Sequence, residues 1–390
     1  MINEVKNFCE RLGIAFCDEL VPYYEKGLAM FEKEGYRAVD KDRIIKLNDK
    51  YYFFRKWFDD VLAAADMIKP DRDLMIHIYT LIVIIKEKAD IKYLPIPDRK
   101  RLDTDFLPMF SLLWFLEDMI ADMERRNVPF QVISDTLQGF DAEINDYYDM
   151  FHRSGMRIYV GWFLLFVRCE LIRCGRLNFQ MTTFNKKIRA YKKGDDIKVL
   201  IDGDYVHEKG MIFGSEKQDD EEGKYFAEIV EEGDTVTGYA CNEFGECVKE
   251  KVTLVGYEEV LRQGDKIISV HIPAHDPFTY EICEESYKIA REVFKNCYPE
   301  FEYKAFCCFS WMLEKRLKQI MGRDTNITRF ADKYVGFPLK SGGGGCFSFL
   351  YHLNGKVPIE QLPENNSMQK AVKKYFLDGN VYYEKGGLFL

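Results

Sequence analysis

Apolar residues recur with a helical period over roughly the first 170 residues of this chain, and with a strand-like pattern after Gly175. In the first stretch, Leu112, Leu113, Leu116, Met119, Ile120 and Met123 fall at i, i+1, i+4, i+7, i+8 and i+11. Glu117, Asp118 and Glu124 occupy other faces. Phe53, Phe54, Trp57 and Phe58 continue to Val61, Leu62 and Ala65 on one stripe. Pro70, Pro95, Pro97, Pro108 and Pro129 stand where helices start or break. After Gly175 the runs are short. Ile197–Ile201 ends at the turn signal Asp202-Gly203, and Tyr225–Val230 and Lys251–Val255 are further strands. The acidic run Glu216–Gly223 reads as a solvated hairpin loop.

The last part of the chain alternates. Lys266–Ile272 is a buried strand, residues 273–279 a loop, and Tyr280–Cys297 a helix with Thr279 as N-cap. Tyr303–Ser310 is a second buried strand. A short helix over Leu313–Met321 stops at Gly322, and another opens at Thr325. Cys346–Tyr351 reads as a strand after the glycine run Gly342–Gly345. Asn366 caps a helix carrying Met368, Val372 and Phe376, and Asn380–Glu384 is a final strand. The fold class is therefore α+β. An all-helical N-terminal domain, residues 1–150, precedes a mixed α/β domain, residues 151–390, with a β-rich insertion and a crossover connection.

Charge and composition narrow the function. Lys and Arg number 55 against 64 Asp and Glu, a formal charge of −9, which argues against a nucleic-acid binder. The N-terminus lacks a basic region followed by an apolar stretch, so no secretory signal is expected. The apolar runs Leu74–Ile85 and Ile158–Val167 fall short of the roughly 20 residues that span a bilayer, and read as buried helices. No membrane partner and a cytoplasmic location are the expectation. The 11 cysteines include the close pairs Cys169/Cys174, Cys241/Cys247 and Cys307/Cys308. None is CxxC, so they read as reduced thiols. His271 and His275 are four apart, but Pro273 lies between them and no acidic third ligand follows, so no metal is expected. The Gly342–Gly345 run matches no phosphate-loop pattern.

The crossover Lys266–Ser310 is the most informative region. Parallel strands joined by a helix put both C-terminal ends and the helix N-terminus at one edge, where ligands of open α/β sheets bind. His271 and Ser310 both lie at such ends. A near-neutral imidazole can accept a proton from an incoming nucleophile, and a hydroxyl can return one to a leaving group. The same pattern fits a hydrogen-bonded strand-end histidine beside small core residues. Cys308 paired with His271 is an alternative nucleophile, provided that its thiolate is stabilised.

Several words of the sequence resemble a bacterial acyltransferase family with a helical N-acyltransferase N-terminal domain and a GNAT-like C-terminal domain. They are Gly175-Arg176-Leu177-Asn178-Phe179-Gln180; Gly264-Asp265 with Val270-His271-Ile272-Pro273; Cys308-Phe309-Ser310-Trp311-Met312-Leu313; Asp324-Thr325-Asn326-Ile327 with Phe330; and Ser367–Ala371 with Gly379. The resemblance covers residues 150–390 by words and the helical half by character. It implies an acyltransferase that moves an acyl group from acyl-CoA, as co-substrate, to a small-molecule or peptide amine by direct attack. His271 would be the general base and Ser310 the leaving-group acid or a residue that positions a water. The strand carrying Ser269 and His271 would bind the pantetheine arm. Ala274, His275, Asp276 and Thr279 would face the pyrophosphate, and Arg176 and Gln180 would orient the acceptor.

The sequence departs from the family in three ways. The loop lacks the usual Arg/Gln-x-x-Gly-x-Gly/Ala pattern, Glu281, Glu284 and Glu285 crowd the helix start, and Phe309 replaces a histidine. These departures motivate the alternative of a non-catalytic acyl-CoA or ligand-binding scaffold on the same fold. The oligomeric state is left open.

Overall fold

The computed structural model describes residues 1–87, 95–98, 100–157, 161–215, 223–274, 276–322, 324–341, 344–351, 353 and 357–390. The chain divides into two compact units, Met1–Cys174 and Gly175–Leu390. Its class is α+β, a helical region followed by a mixed α/β region with a β-rich insertion.

The first unit contains α1 (Ile2–Leu12), α2 (Leu20–Glu34), α3 (Lys41–Tyr51), α4 (Phe58–Ile68), α5 (Arg72–Glu87), α6 (Leu107–Leu113), α7 (Leu116–Arg125), α8 (Phe130–Leu137), α9 (Gly139–Phe151), α10 (Gly161–Val167) and the short strand β1 (Leu171–Cys174). Helix α5 is the hub. Every residue from Leu74 to Ile85 is buried, as suits a helix apolar on all sides. Its close neighbour is α2, where Gly27 lets Thr80 approach; a Cβ at Gly27 would stand 2.5 Å from Thr80 Oγ1. Among the described residues no helix is long and apolar enough to cross a membrane.

Two stretches expected as continuous helix are interrupted. The stripe from Leu112 to Met123 breaks between α6 and α7, where the Arg43 guanidinium donates to Leu113 O at 2.7 Å. Residues 52–57 are not helical. The buried Asn48 side chain accepts from the amides of Phe53 and Phe54 at 3.1 and 2.7 Å and donates to Phe54 O at 3.2 Å. A side chain that satisfies backbone groups in this way offers the chain an alternative to helix.

The second unit has β2 (Leu177–Thr183), β3 (Ile188–Lys193), β4 (Asp196–Ile201), β5 (Asp204–His207), β6 (Lys224–Ala227), β7 (Val230–Glu232), β8 (Thr235–Cys241), β9 (Cys247–Val255), β10 (Glu258–Leu261) and β11 (Lys266–His271). These are followed by α11 (Tyr280–Cys297), β12 (Phe306–Ser310), α12 (Leu317–Met321), α13 (Asn326–Asp332), β13 (Val335–Pro338), α14 (Gly344–Leu350), α15 (Ser367–Leu377) and β14 (Lys385–Phe389). Within this unit the main sheet runs β2-β11-β12-β14-β13. Only the β11–β12 neighbours in that path are parallel, and α11 connects them. The insertion forms a second sheet, β10-β3-β4-β8-β7 with β9 on β8, and the hairpin β5-β6.

Alternation along the strands gives the main sheet two distinct faces. One carries Phe179, Phe306 and Phe389, whose rings meet Tyr287 of α11 edge-on. The other carries Ile267, Cys307, Phe337 and Leu388, which pack with Ile188, Ala190, Val199 and Ile201 of the insertion. The crossover, its Thr279 cap and the helix over Tyr280–Cys297 match the sequence reading.

Three expectations in this unit are corrected. Tyr225–Val230 is divided between β6 and β7. Cys346–Tyr351 is not a strand; most of it lies in α14. Cys346 and Leu350 are one helical turn apart and share a core with Leu317, Val372, Phe376 and Tyr382. The final strand is Lys385–Phe389 rather than Asn380–Glu384. Gly386 and Gly387 hide this strand from propensity. They are required because a Cβ would stand 2.1 Å from the Phe337 ring at the first and 2.7 Å from Tyr334 at the second. The acidic residues 216–222 and Gly342 and Gly343 lie outside the described residues.

Candidate functional site

The site begins where the two parallel strands part. Their shared ladder pairs Ile268 with Phe306, Ser269 with Cys307 and Val270 with Cys308, and ends there. Each strand continues in its outer ladder, β11 to His271 opposite Asn178 and β12 to Ser310 opposite Lys385. Beyond Val270 and Cys308 the central strands are thus held from outside only. The ladder between the two strands ends there, at the sheet edge, where a polar ligand chain can be met.

His271 and Ser269 share the insertion face with Asn178 and Gln180 of β2. His271 Nε2 lies 3.0 Å from Gln180 Oε1. A carbonyl oxygen only accepts, so Nε2 carries the hydrogen and Nδ1 keeps its lone pair. Burial lowers the His271 pKa to about 4, so the ring is neutral near pH 7. Gln180 therefore fixes the tautomer of the imidazole. Ser269 is buried below it.

Ser310 faces the other way, toward the α11 side, by the alternation that puts Cys308 and Phe306 there. Its Oγ accepts from Met312 N at 3.1 Å and caps the short turn Trp311–Leu313, which leaves its own hydrogen to donate. The edge thus brings His271 and Ser310 to one end of the sheet but not to one face. Cys308 does not pair with His271 either. It is on the opposite face, 1% exposed, and burial pushes its thiol up to about 12, so no thiolate forms near neutrality.

Arg176 spans the loop after β11. Its Nε donates to Pro277 O at 2.8 Å and its Nη2 to Pro273 O at 2.6 Å, while its amide donates to Ser286 Oγ at 2.9 Å. It clamps the segment carrying Ala274 and Asp276, whose amide donates back to Ala274 O at 2.9 Å. His275 lies outside the described residues.

Thr279 accepts from Ile282 N at 3.3 Å, and Asn326 of α13 accepts from Tyr280 N at 3.3 Å. Two amides of the first turn of α11 are therefore already occupied. The crowd of carboxylates is also answered. Arg329 meets Glu281 at 2.8 Å and Lys333 meets Glu284 at 2.9 Å. Sequence reasoning missed Asn326, Arg329 and Lys333. Their i, i+3, i+7 spacing puts them on one side of α13, but nothing in the sequence says that this side meets α11. Among the described residues no three His, Cys, Asp or Glu side chains converge as a metal centre.

Residues 171–389 match the family model of the GNAT-like C-terminal domain. Among solved structures, an acyltransferase in complex with decanoyl-CoA is 16% identical, covers 89% of this chain and 87% of its own, and superposes with a TM-score of 0.59. The complex of an acyltransferase with decanoyl-CoA and teicoplanin gives 17% identity, 88% and 86% coverage and 0.59. A complex with CoA and 10C-teicoplanin gives 16%, 88% and 86%, and 0.59. At these identities the likeness is one of fold. No curated protein sequence matches the chain.

Proposed function

The chain belongs to the family of the GNAT-like C-terminal domain, and on that premise we propose that it transfers an acyl group from acyl-CoA to the amine of a small molecule or peptide. The observation that carries this reading is the parting of β11 and β12 after Val270 and Cys308, beside a neutral His271 held by Gln180. The backbone of the parted strands would accept the pantetheine amides, bringing the thioester to the level of His271. The amine attacks the acyl carbon directly. Its nitrogen loses a proton to Nδ1 of His271, and the departing thiolate takes one from the Ser310 hydroxyl or from water. Arg176 acts by holding the loop that faces the phosphates. The acyltransferases solved with decanoyl-CoA, CoA and teicoplanin support acyl-CoA as co-substrate and a small-molecule or peptide acceptor.

A second reading has its own observation. The first turn of α11 has its Tyr280 and Ile282 amides satisfied within the protein, and its carboxylates already engage Arg329 and Lys333. That arrangement favours a binding protein that uses the fold without turnover. Calorimetry with acetyl-CoA, octanoyl-CoA and decanoyl-CoA, followed by thiol release with a panel of amines, separates the two. Turnover that His271→Ala abolishes supports the enzyme. Binding without thiol release supports the scaffold, and absence of both binding and turnover removes acyl transfer.

A further inference from the structure

The bend between β2 and β3 holds Lys186, and nothing in the acyl-transfer reading uses it. Both flanks of the bend are pinned. Phe184, which is 1% exposed, donates its amide to Asp265 O at 2.8 Å and accepts from Gly264 N at 2.9 Å; Lys187 O accepts from Asp202 N at 2.9 Å. The half-buried Lys186 Nζ stands 5.1 Å from the centre of the Phe309 ring. Phe309 and His271 each follow the last residue of the ladder that β11 and β12 share. Both lie on the insertion face. Phe309 is itself stacked on Phe184 at 6.4 Å and meets Phe337 edge-on at 6.3 Å, so the ring under the ammonium is fixed.

Three described lysines are pulled below their usual range by burial: Lys186, Lys315 and Lys385. Acids offset the effect at Lys315 (Asp332 and Glu243) and at Lys385 (Glu314 and Glu246). At Lys186 desolvation stands alone, with no carboxylate among the described residues acting on it. An ammonium partly withdrawn from water over an apolar ring, with no described anion beside it, is a cost to the folded chain that an anionic ligand offsets. The phosphates of CoA do not fit as that anion. The loop after β11 leads to α11, which covers the opposite face of the sheet.

We propose that Lys186 recognises a carboxylate carried by one of the two substrates, at the insertion-face side of the parted strands. This deepens the acyl-transfer reading and rests on it for the identity of the substrates. The carboxylate belongs either to a dicarboxylic acyl group or to an amino-acid-like acceptor.

The test uses the full chain as wild type, Lys186→Met and Lys186→Arg, with melting curves to verify folding. Hexanoate and hexanol serve as probes in ligand-observed NMR titrations. The wild type and Lys186→Arg should bind hexanoate about 10-fold more tightly than hexanol, and Lys186→Met should bind the two alike. Equal binding of the two probes by the wild type, or a loss of affinity for free CoA in Lys186→Met, overturns the proposal. Turnover then assigns the source. A preference for succinyl-CoA over butyryl-CoA that Lys186→Met erases places the carboxylate on the acyl group. A preference for an amino acid over its decarboxylated amine, erased likewise, places it on the acceptor. Turnover with neither preference also overturns the proposal. Should the wild type turn over nothing, the acyl-transfer reading fails while the hexanoate titration still judges Lys186.

Discussion

His77 on α5 and His271 at the end of β11 are both pushed by burial to a pKa of about 4, yet they sit in opposite kinds of surroundings. His77 is fully buried in the helical unit. Its Nε2 donates to Pro95 O at 2.9 Å, and its Nδ1 is enclosed without a partner among the described residues. Protonating it would leave a buried N–H with nothing to bond. His271 has the same neutral ring, but a side-chain partner and a place at the edge where two strands part. A depressed pKa therefore does not identify a reactive histidine. What separates the two is their surroundings: His77 is enclosed in packed core, whereas His271 stands at the sheet edge where two strands part.

The sharpest way to break this comparison is His271→Ala. We expect thiol release to fall about 100-fold or more, with little change in melting temperature. Unchanged turnover would put His271 in the same class as His77.

His77→Ala should do the reverse, costing about 3 kcal/mol in denaturant unfolding while leaving kcat per folded molecule intact. The folded pKa of His77 lies below the unfolded value of 6.5, so as pH falls the unfolded chain takes up the proton first. Its contribution is fully present above about pH 6.5 and is lost progressively down to about pH 4. The loss is about 3 kcal/mol, and His77→Phe should flatten it in urea midpoints measured across that range.

Arg176→Met should raise KM for acyl-CoA about 10-fold with a smaller change in kcat, because it releases the Pro273 and Pro277 carbonyls rather than touching the reacting atoms. The smallest effect is expected from Gln180→Glu. A carboxylate beside Nε2 favours the imidazolium, so the acid limb of the kcat/KM profile should move up by about one pH unit. In the wild type that limb, once the ionisation of the acceptor amine is divided out, should lie near pH 4 rather than 6.5.

Much of the second unit was readable in the sequence because its signals are local. Thr279 and Asn366 cap the helices they precede, and the apolar run Lys266–Ile272 marks a central strand. Misreadings arose where a distant contact sets local structure. Gly386 and Gly387 look like strand breakers until Phe337 and Tyr334 occupy the space a Cβ would need. The Asn48 side chain ends a helix by bonding to amides five and six residues on. At the site, the positions of His271 and Ser310 at strand ends were legible, whereas Gln180 as the partner of the imidazole was not.

The sequence alone determined the division of character near Gly175, the parallel strand–helix–strand unit and the words that mark the family. These rest on periodicity, capping and spacing, which act over a few residues. Tertiary structure decided that β11 and β12 part after Val270 and Cys308, and that Ser310 turns to the face opposite His271. It also decided that Arg329 and Lys333 neutralise the acidic start of α11, and that Lys186 is half-buried against Phe309 with no described acid to balance it. Each of these depends on which groups meet across long stretches of chain. Desolvation and ion pairing follow from that meeting, not from the order of residues along a strand or helix.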